Sequence, residues 1–376
     1  MRAPTIRDVA AMAGVAASTV SVVLNEVPGA RVSTDTRRRI HEAAAVLGYT
    51  ANPHARSLRS ASSRSSVALI NDRIAYEPYG GDLIRGAQEA CQRLGATLLV
   101  LSTTGDPQRE QEALDYARAQ RYTAVVLASL THVERELPTS VGAGRGRRGL
   151  NLVLANARPS GDSADSASGP HIPYVVPDER SGGRAAATEL LAAGHRQIGA
   201  LMVGPCLPGV ERLAGFAEAL AHAGLSLDPE LVVTLDEMEA TAHGGYAAAS
   251  RLLDRPDHSR PTALFCFNDR MAMGAYRAAA ERGLRIPDDL SVVGYDNLEP
   301  IADSLYPGLT TIALPYCEIG EQAVEIALDR EHPAHTPGSS AVVLDCPLVC
   351  RESVAPAPMA HAQPSSRNPL TLKETP

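Results

Sequence analysis

The stretch TIRDVAAMAGVAASTVSVVLN, residues Thr5–Asn25, predicts two short helices separated by a glycine. Apolar residues recur at helical spacing on both sides of Gly14, which can adopt the left-handed conformation that ends a helix. Thr5 is a suitable N-cap, and Asp8 places a negative charge in the first turn, where the helix dipole favours it. Helices this short are not stable alone. The stretch therefore predicts a helix-turn-helix whose second helix, from about Ala16 to Asn25, can enter the major groove of DNA.

A third helix completes an all-α head that is expected to cover residues 1–51. Ser33 is its predicted N-cap, the helix runs from Thr34 to about Leu47, and Gly48 ends it. The head is basic, because residues 1–66 contain nine arginines and four acidic residues, whereas the whole chain has a formal net charge of −8. A basic head on an acidic body is typical of a protein whose head binds a polyanion, although nine arginines could also form a solvated face.

Residues 52–66 are predicted to form a hinge helix and a linker. Asn52 can cap a short helix that starts at Pro53 and runs to about Arg59. The Ser- and Arg-rich stretch after it is typical of a flexible linker. The short helix carries Leu58 but has no apolar face to bury.

From Val67 the pattern changes to short, continuous apolar runs that alternate with helical stretches. The runs are VALIND, TLLVLST, AVVLASL, LNLVLAN, IGALMV, ALFCFND and LSVVGYD. They predict parallel sheets covered by helices on both faces, and residues 67–354 are too many for one sheet, so two doubly wound α/β lobes are expected. The predicted ranges are about 67–176 and 314–340 for lobe one, about 177–313 and 341–354 for lobe two, and 355–376 for a disordered tail.

The composition argues against several other classes of protein. No apolar run reaches the length of a membrane span, and Arg7 and Asp8 interrupt what would be the apolar stretch of a signal peptide, so a cytoplasmic protein is expected. The six cysteines are scattered without a C-x-x-C pair, which favours buried thiols over disulfides or metal ligands. The run GRGRRG, residues 144–149, matches a dinucleotide-binding pattern, but an apolar strand follows it where that pattern needs a helix. We therefore expect no cofactor, no metal and no enzymatic nucleophile.

Several segments resemble the LacI/GalR family of bacterial transcription regulators, and they occur in the family's order. In the head and hinge they are TIRDVA, GVAASTVSVVLN and RVSTDTRRRIHEAAAVLGYTANPHARSLR; in the body they are GHRQIGAL, ERLAGF, FNDRMAMGA, SVVGYDN, LTTI and LVCRES. The resemblance spans residues 4–354 and implies an N-terminal helix-turn-helix domain joined to a two-lobed, periplasmic-binding-protein-like α/β effector domain. It further implies a ligand-responsive regulator, a repressor, that binds a palindromic DNA operator as a homodimer or homotetramer and responds to a small molecule, commonly a sugar.

The resemblance places the base-contacting residues in the second helix, at Ala17, Ser18 and Val22. Ala17 and Val22 cannot donate a hydrogen bond but can contact a thymine methyl group, whereas Ser18 can reach either kind of base edge. Val22 could instead be a buried helix residue, so direct readout is expected to be weak. Phosphate contacts are expected from short donors at helix starts and on the groove side: Thr5, Thr19, Ser21, Asn25, Ser33 and Thr36.

In the hinge, the resemblance matches Leu58 to a leucine that wedges between the central base pairs in the minor groove. Asn52 would cap this helix, Ala55 is small enough to let two hinge helices pack closely, and Arg56 is a candidate phosphate contact. The alternative is that Leu58 is a loop leucine resting on the effector domain.

For the effector, the resemblance points to Arg212, Asn268 and Asp296 as ligand-binding residues. An arginine can fork onto paired oxygens, an aspartate accepts from hydroxyl groups and an asparagine does both, which suits a polyol. Tyr79 could stack on a sugar ring or be a surface tyrosine, and Asn156, after another apolar run, is a further candidate.

Two other functions would fit parts of this pattern. A solute-binding protein would use the two-lobed body but has no use for residues 5–59. An NAD-dependent or sugar-modifying enzyme would need a catalytic dyad or a phosphate-binding loop, and the sequence has neither motif.

Overall fold

The computed structural model describes residues 4–24, 30–49, 65–73, 80–136, 151–160, 172–329, 331–332, 335 and 340–358. The chain divides into two compact units, residues 1–65 and 66–376. The predicted hinge helix, the GRGRRG run and the part of the predicted tail beyond residue 358 lie outside the described residues.

The head contains the three predicted helices, which are α1 (Ile6–Ala13), α2 (Ala17–Leu24) and α3 (Thr34–Leu47). The axes of α1 and α2 meet at 103°, which is within the range of helix-turn-helix motifs. No single helix of the described residues is long and apolar enough to span a membrane; α1 and α2 pass that test only as a bent pair.

The predicted caps of the head are confirmed. Gly14, with φ of 65°, ends α1, and Gly48, with φ of 63°, ends α3. The backbone N–H of Thr5 donates to the Asp8 carboxylate at 2.7 Å, and Ser33 accepts from the backbone N–H of Thr36 at 3.3 Å. Apolar side chains from all three helices then close one small core: Val9, Ala10, Ala13, Val20, Val23, Ile40, Ala43 and Ala44.

The first lobe of the second unit is a six-stranded parallel sheet between two helical layers. Its strands are β1 (Ser66–Asn71), β2 (Thr97–Ser102), β3 (Ala124–Arg135), β4 (Asn151–Pro159), β5 (Tyr174–Pro177) and β11 (Ala341–Leu344), in the order β11-β5-β4-β3-β1-β2. Its helices are α4 (Gly80–Arg93), α5 (Pro107–Ala119) and α11 (Tyr316–Leu328). Helices α4 and α11 share one apolar core with the sheet, and α5 covers the other face.

The second lobe repeats this architecture. Its strands are β6 (Ile198–Val203), β7 (Val232–Leu235), β8 (Ala263–Cys266), β9 (Ser291–Asp296), β10 (Thr310–Ala313) and β12 (Leu348–Val349), in the order β12-β10-β9-β8-β6-β7. Only β12 runs antiparallel to its neighbour among these strands. Its helices are α6 (Glu179–Ala192), α7 (Leu207–His222), α8 (Ala242–Leu253), α9 (Asp269–Glu281) and α10 (Glu299–Ala302).

The chain crosses between the two lobes three times, and one predicted boundary is wrong. Residues 341–344 were expected in lobe two, but they form β11, which pairs in parallel with β5 of lobe one. The last crossing therefore lies between β11 and β12. Strand β11 has only four residues and lies at the edge of its sheet. Its apolar run is too short for the sequence to indicate which of the two sheets it joins.

The beginning of the predicted tail is ordered against the second lobe. The carbonyl of Ala355 accepts from the His195 ring at 3.1 Å, and the N–H of Ala357 donates to the carbonyl of Ala193 at 2.8 Å. Among the cysteines, Cys91, Cys266 and Cys346 are buried, as predicted, whereas Cys350 is exposed.

Candidate functional site

The candidate effector residues come together at one edge of the second sheet. Asp296 is the last residue of β9, Asn268 follows β8 within two residues, and Arg212 projects from α7. The carboxyl ends of parallel strands are where α/β sheets bind ligands.

Arg212 is held by an acidic residue that the sequence interpretation missed. Its Nε donates to Oε2 of Glu179 at 2.7 Å and its Nη2 donates to Oε1 at 3.3 Å. The two side chains are only 4% and 2% exposed. A two-point arginine–carboxylate pair of this kind is geometrically rigid.

The remaining contacts of Arg212 fix the guanidinium further. Nη1 donates to the carbonyl of Phe267 at 2.5 Å and lies 3.8 Å from Oδ1 of Asp296. The guanidinium lies 3.6 Å from the centroid of the Tyr295 ring and 4.6 Å from that of the Phe267 ring, so cation–π attraction adds to the hydrogen bonds.

The expectation that Arg212 forks onto paired oxygens of a ligand stays a prediction, and it is restricted to the N–H groups that remain, because the Nε and Nη2 edge is paired with Glu179. Three of its five N–H donors go to acceptors in the described part of the protein. The available signal for Glu179 was its position two residues after the apolar run YVVP, at the start of a helix.

Two glycines of α6 make this arrangement possible. A Cβ on Gly182 would lie 2.1 Å from the hydroxyl oxygen of Tyr295, and a Cβ on Gly183 would lie 2.0 Å from the carbonyl oxygen of Arg212. Neither distance can be accommodated without moving a neighbour. The pair of glycines thus lets α6 bring Glu179 close to α7 and to the end of β9.

Asp296 supplies a carboxyl group that is mostly protonated at neutral pH. Burial raises its pKa to about 8, against the opposing effect of the Arg212 charge. Its backbone has φ of 102°, a conformation that is rare for a residue with a side chain and that occurs preferentially at functional sites. A protonated carboxyl can both donate and accept a hydrogen bond, whereas a carboxylate can only accept.

Asn268 and its neighbour Asp269 are more structural than the sequence suggested. Oδ1 of Asn268 accepts from the N–H of Met271 at 2.8 Å, and Nδ2 donates to the carbonyl of Ala240 at 3.2 Å, so the side chain caps α9. Asp269 accepts from the Thr311 hydroxyl at 2.6 Å, and burial raises its pKa to about 7. One donor and one acceptor position of the Asn268 side chain, half of the capacity that we assigned to a ligand, are thus used by the protein.

Asn156 also has a structural role that was not expected. Its Nδ2 donates to the carbonyls of Ser129 at 3.1 Å and Leu130 at 3.0 Å, where β3 departs from regular pairing with β4. Its amide nitrogen is therefore committed to the backbone of the first lobe. Tyr79 lies outside the described residues.

In the head, α2 presents a surface that matches part of the predicted DNA contacts. Ser18 is exposed and Ala17, Thr19 and Val22 are half-buried, as are Thr5 and Thr36, whereas Ser33 is exposed. Val22 is thus not one of the buried valines of this helix, which are Val20 and Val23.

Ser21 differs from the other predicted contacts, because it is buried with 7% of its surface exposed. A phosphate contact from this hydroxyl is disfavoured, since the residue lies on the core side of α2 with Val20. Asn25, Asn52, Ala55, Arg56 and Leu58 lie outside the described residues.

The chain matches two family models: residues 5–52 match the one described as bacterial regulatory proteins, lacI family, and residues 187–354 match the periplasmic binding protein-like domain. The HTH-type transcriptional repressor CytR of Escherichia coli strain K12 is 31% identical over 363 residues, 95% of this chain and 98% of that protein. The chain belongs to the lacI family. It is a DNA-binding, ligand-responsive transcriptional regulator.

Solved structures of lacI-family regulators agree with this fold. The lac repressor dimer bound to operator and the anti-inducer ONPF aligns with a TM-score of 0.70 at 25% identity, over 94% of this chain and 100% of that one. The complex of the transcriptional regulator CelR with cellobiose aligns with a TM-score of 0.61 at 31% identity, over 93% of this chain and 99% of that one.

The site contains no arrangement that suggests metal chemistry. In the described ranges, no group of three or more His, Cys, Asp or Glu side chains is placed to share a metal ion.

Proposed function

We propose that this lacI-family protein is a repressor that binds a palindromic operator as a homodimer and is controlled by a neutral, hydroxyl-rich small molecule, a sugar. The observation that carries the choice of ligand is the Arg212–Glu179–Asp296 cluster at the carboxyl edge of the second sheet.

The charge of this cluster favours an uncharged ligand. The carboxylate of Glu179 offsets the guanidinium of Arg212 at 2.7 Å. Burial keeps Asp296 mostly protonated at pH 7, because its pKa is about 8. A phosphate or carboxylate on the ligand would find the charge of Arg212 already offset by Glu179 and would lose its hydration.

The hydrogen-bonding groups of the cluster fit hydroxyl groups. Arg212 retains N–H donors that point away from Glu179, and the Asp296 carboxyl can donate and accept. The half-buried ring of Phe267 borders the guanidinium and offers apolar surface, whereas the Tyr295 ring, which also contacts the guanidinium, is fully buried. Sugars are bound by such combinations of planar polar groups and aromatic faces.

The head supports operator binding with weak direct readout. Ser18 is the one exposed residue of α2 among the three expected to reach base edges, and Ala17 and Val22 can make only apolar contacts. Specificity must then depend strongly on phosphate positioning and on DNA deformation, for which Leu58 and Arg56 are the sequence-based candidates.

Two measurements test this function. Mobility shifts with genomic fragments should reveal an operator, and a thermal-shift panel should pair D-ribose, D-glucose and cellobiose with ribose 5-phosphate and glucose 6-phosphate. A neutral sugar present at 100 times its dissociation constant should add about 2.7 kcal/mol to the free energy of unfolding, and the same sugar should weaken the mobility shift.

Deleting residues 1–59 provides the matched control. The truncated protein should lose operator binding and keep the sugar-induced stabilisation, because the two activities are assigned to separate units. Stabilisation by the phosphorylated sugars alone would contradict the proposed ligand class, and absence of any DNA complex with the full chain would contradict the proposed function.

A further inference from the structure

Strand β3 contains an irregular segment opposite Asn156. Pairing with β4 is regular up to Ala128, which lies opposite Ala155, and resumes at Val133, which lies opposite Ala157. Residues 129–132 of β3 therefore stand opposite one residue of β4. Bulges of this kind re-aim side chains and occur preferentially next to functional sites.

The backbone of this bulge is held by several specific hydrogen bonds. Besides Asn156, the carboxylate of Asp72 accepts from the N–H of Leu130 at 3.1 and 3.2 Å. The Tyr316 hydroxyl donates to the carbonyl of Leu130 at 3.3 Å. These bonds hold the segment in one conformation. They therefore also fix the orientation of His132, its last residue.

His132 is buried without a hydrogen-bond partner. It is 5% exposed, and neither Nδ1 nor Nε2 has an acceptor or donor within the described part of the chain. Buried ring nitrogens are normally bonded, and each one that is not costs stability.

A second buried histidine shows what a structural role looks like in this protein. Nδ1 of His195 lies 2.9 Å from the Thr262 hydroxyl, and Nε2 lies 3.0 Å from the Ser291 hydroxyl and 3.1 Å from the carbonyl of Ala355. Both nitrogens of His195 are satisfied by the fold, so burial alone does not leave a histidine without partners here.

The position of His132 relates it to the candidate effector site. Helix α7, which carries Arg212, packs against β3. The His132 imidazole lies close enough to the site for Glu179 and Arg212 to influence its titration, and Arg158 and Glu134 of the first lobe act on it as well. Burial is the largest influence and lowers its pKa to about 4, so the ring is neutral at pH 7, with one donor and one acceptor nitrogen.

We propose that His132 is the hydrogen-bonding contact that the first lobe makes to the ligand, and that it selects for ligands with an uncharged hydroxyl group at that position. The proposal rests on the proposed effector site, to which it adds a residue of the opposite lobe. A ligand hydroxyl group can bond to the neutral ring in two ways: it can accept from the protonated nitrogen, or it can donate to the unprotonated one. A ligand anion can only accept, so only the N–H of the ring can bind it. A ligand held by His132 on one side and by the Arg212 cluster on the other would link the two lobes.

The test compares His132→Leu, His132→Gln and Asp296→Ala in the full chain. His258→Leu is the control, because His258 is exposed. Thermal unfolding is followed without ligand and with a titration of whichever neutral sugar of the panel (D-ribose, D-glucose or cellobiose) stabilises the wild type. His132→Leu should keep or raise the midpoint of thermal unfolding measured without ligand, and it should weaken sugar binding at least tenfold. His132→Gln should recover part of the affinity for the sugar. His258→Leu should change neither the midpoint nor the affinity.

The outcomes separate this inference from the proposed function. A ligand-free midpoint that falls by several degrees in His132→Leu would show a structural histidine and overturn the inference. Loss of binding in Asp296→Ala with wild-type affinity in His132→Leu would overturn it too, while leaving the effector site in place. Wild-type affinity in both variants would overturn the site as well. If no panel sugar stabilises the wild type, the proposed ligand class fails, and the ligand-free midpoints still support or overturn the assignment of His132.

Discussion

Replacing Glu179 with alanine is the sharpest test of how the effector site is built. The substitution removes both acceptors of the Arg212 fork, at 2.7 and 3.3 Å, and leaves the guanidinium in a position where its side chain is 4% exposed. The carbonyl of Phe267 and the Asp296 carboxyl remain. The pKa of Asp296 falls when the Glu179 charge is removed, but its nearest oxygen lies 3.8 Å from the guanidinium and makes no hydrogen bond that replaces those of Glu179.

The expected loss of stability is large because the pair is buried. Burial by itself lowers the pKa of Arg212, yet the charge and hydrogen bonds of Glu179 keep that pKa above its ordinary value, so the arginine stays charged. Removing one partner of such a pair leaves an uncompensated buried charge, which costs about 3–5 kcal/mol in the free energy of unfolding. An Arg212→Met, Glu179→Met double variant should recover most of this loss, because no unpaired charge remains.

Urea unfolding followed by far-UV circular dichroism measures the effect, which suits a chain that has no tryptophan. Glu230→Ala is the matched control, since Glu230 pairs with Arg255 at a similar distance, 2.9 Å, but is 74% exposed. That change should alter the free energy of unfolding by less than about 0.5 kcal/mol. A loss below about 1 kcal/mol for Glu179→Ala, or a double variant less stable than the single one, would refute the reasoning.

Other perturbations test separate parts of the structure. The pKa of Asp296, about 8, lies above that of an unfolded aspartate. Its own contribution to stability is therefore greatest at acid pH and is lost as the pH rises from about 4 to 8, and Asp296→Asn should remove this contribution in urea unfolding curves. The pKa of His132, about 4, lies below its value in the unfolded chain. The contribution of His132 to the free energy of unfolding should therefore fall by about 3 kcal/mol as the pH drops from about 6.5 to 4, and His132→Leu should remove this pH dependence. Gly183→Ala should destabilise the protein by more than about 1 kcal/mol in thermal unfolding, because the new Cβ would lie 2.0 Å from a backbone oxygen. Gly81→Ala is the control: its Cβ would have no neighbouring atom within 4 Å, so this change should be neutral or slightly stabilising. Leu58→Ala should reduce operator affinity by a few kcal/mol and leave binding to random DNA nearly unchanged, as judged by mobility shifts with both kinds of DNA.

Much of the fold follows from local patterns in the sequence. The glycine between two short apolar repeats predicted the turn of the head, and φ of 65° at Gly14 confirms it. The continuous apolar runs predicted seven strands of the two sheets, because strands that are covered on both faces need no alternation of apolar and polar residues. The short edge strands β11 and β12 were not distinguishable in this way, and they decide where the last crossing between lobes lies.

The position of the candidate effector residues at the strand ends was predictable, but their hydrogen bonds were not. Positions after apolar strands located Asp296 and Asn268, since strand ends converge at one edge of a parallel sheet. What each side chain bonds to depends on tertiary neighbours that are distant in sequence. Glu179 lies 33 residues from Arg212, and nothing in either local pattern indicates that the arginine would be paired by it. Asn156 and His132 are significant only because a bulge brings their segments opposite each other.

The placement of Glu179 connects ligand chemistry to the geometry of the two lobes. Strand β5 belongs to the first sheet and ends at Pro177, and Glu179 begins the first helix of the second lobe. Its partner Arg212 therefore contacts a residue that directly follows a crossing between the lobes.

The three crossings are themselves joined by backbone hydrogen bonds. The N–H of Asp178 in the first crossing donates to the carbonyl of Leu344 at 2.8 Å, and the N–H of Ala313 at the start of the second crossing donates to the carbonyl of Pro347 in the third at 2.8 Å. A rearrangement at Glu179 thus reaches all three connections through short, directional bonds. A ligand that separates Arg212 from Glu179, or that contacts both Arg212 and His132, would alter the hydrogen bonds of the candidate site. Because Glu179 adjoins the first crossing, it would also alter the crossings between the lobes. Under the proposed function, these bonds give a small neutral ligand a physical route by which it can shift the arrangement of the two lobes.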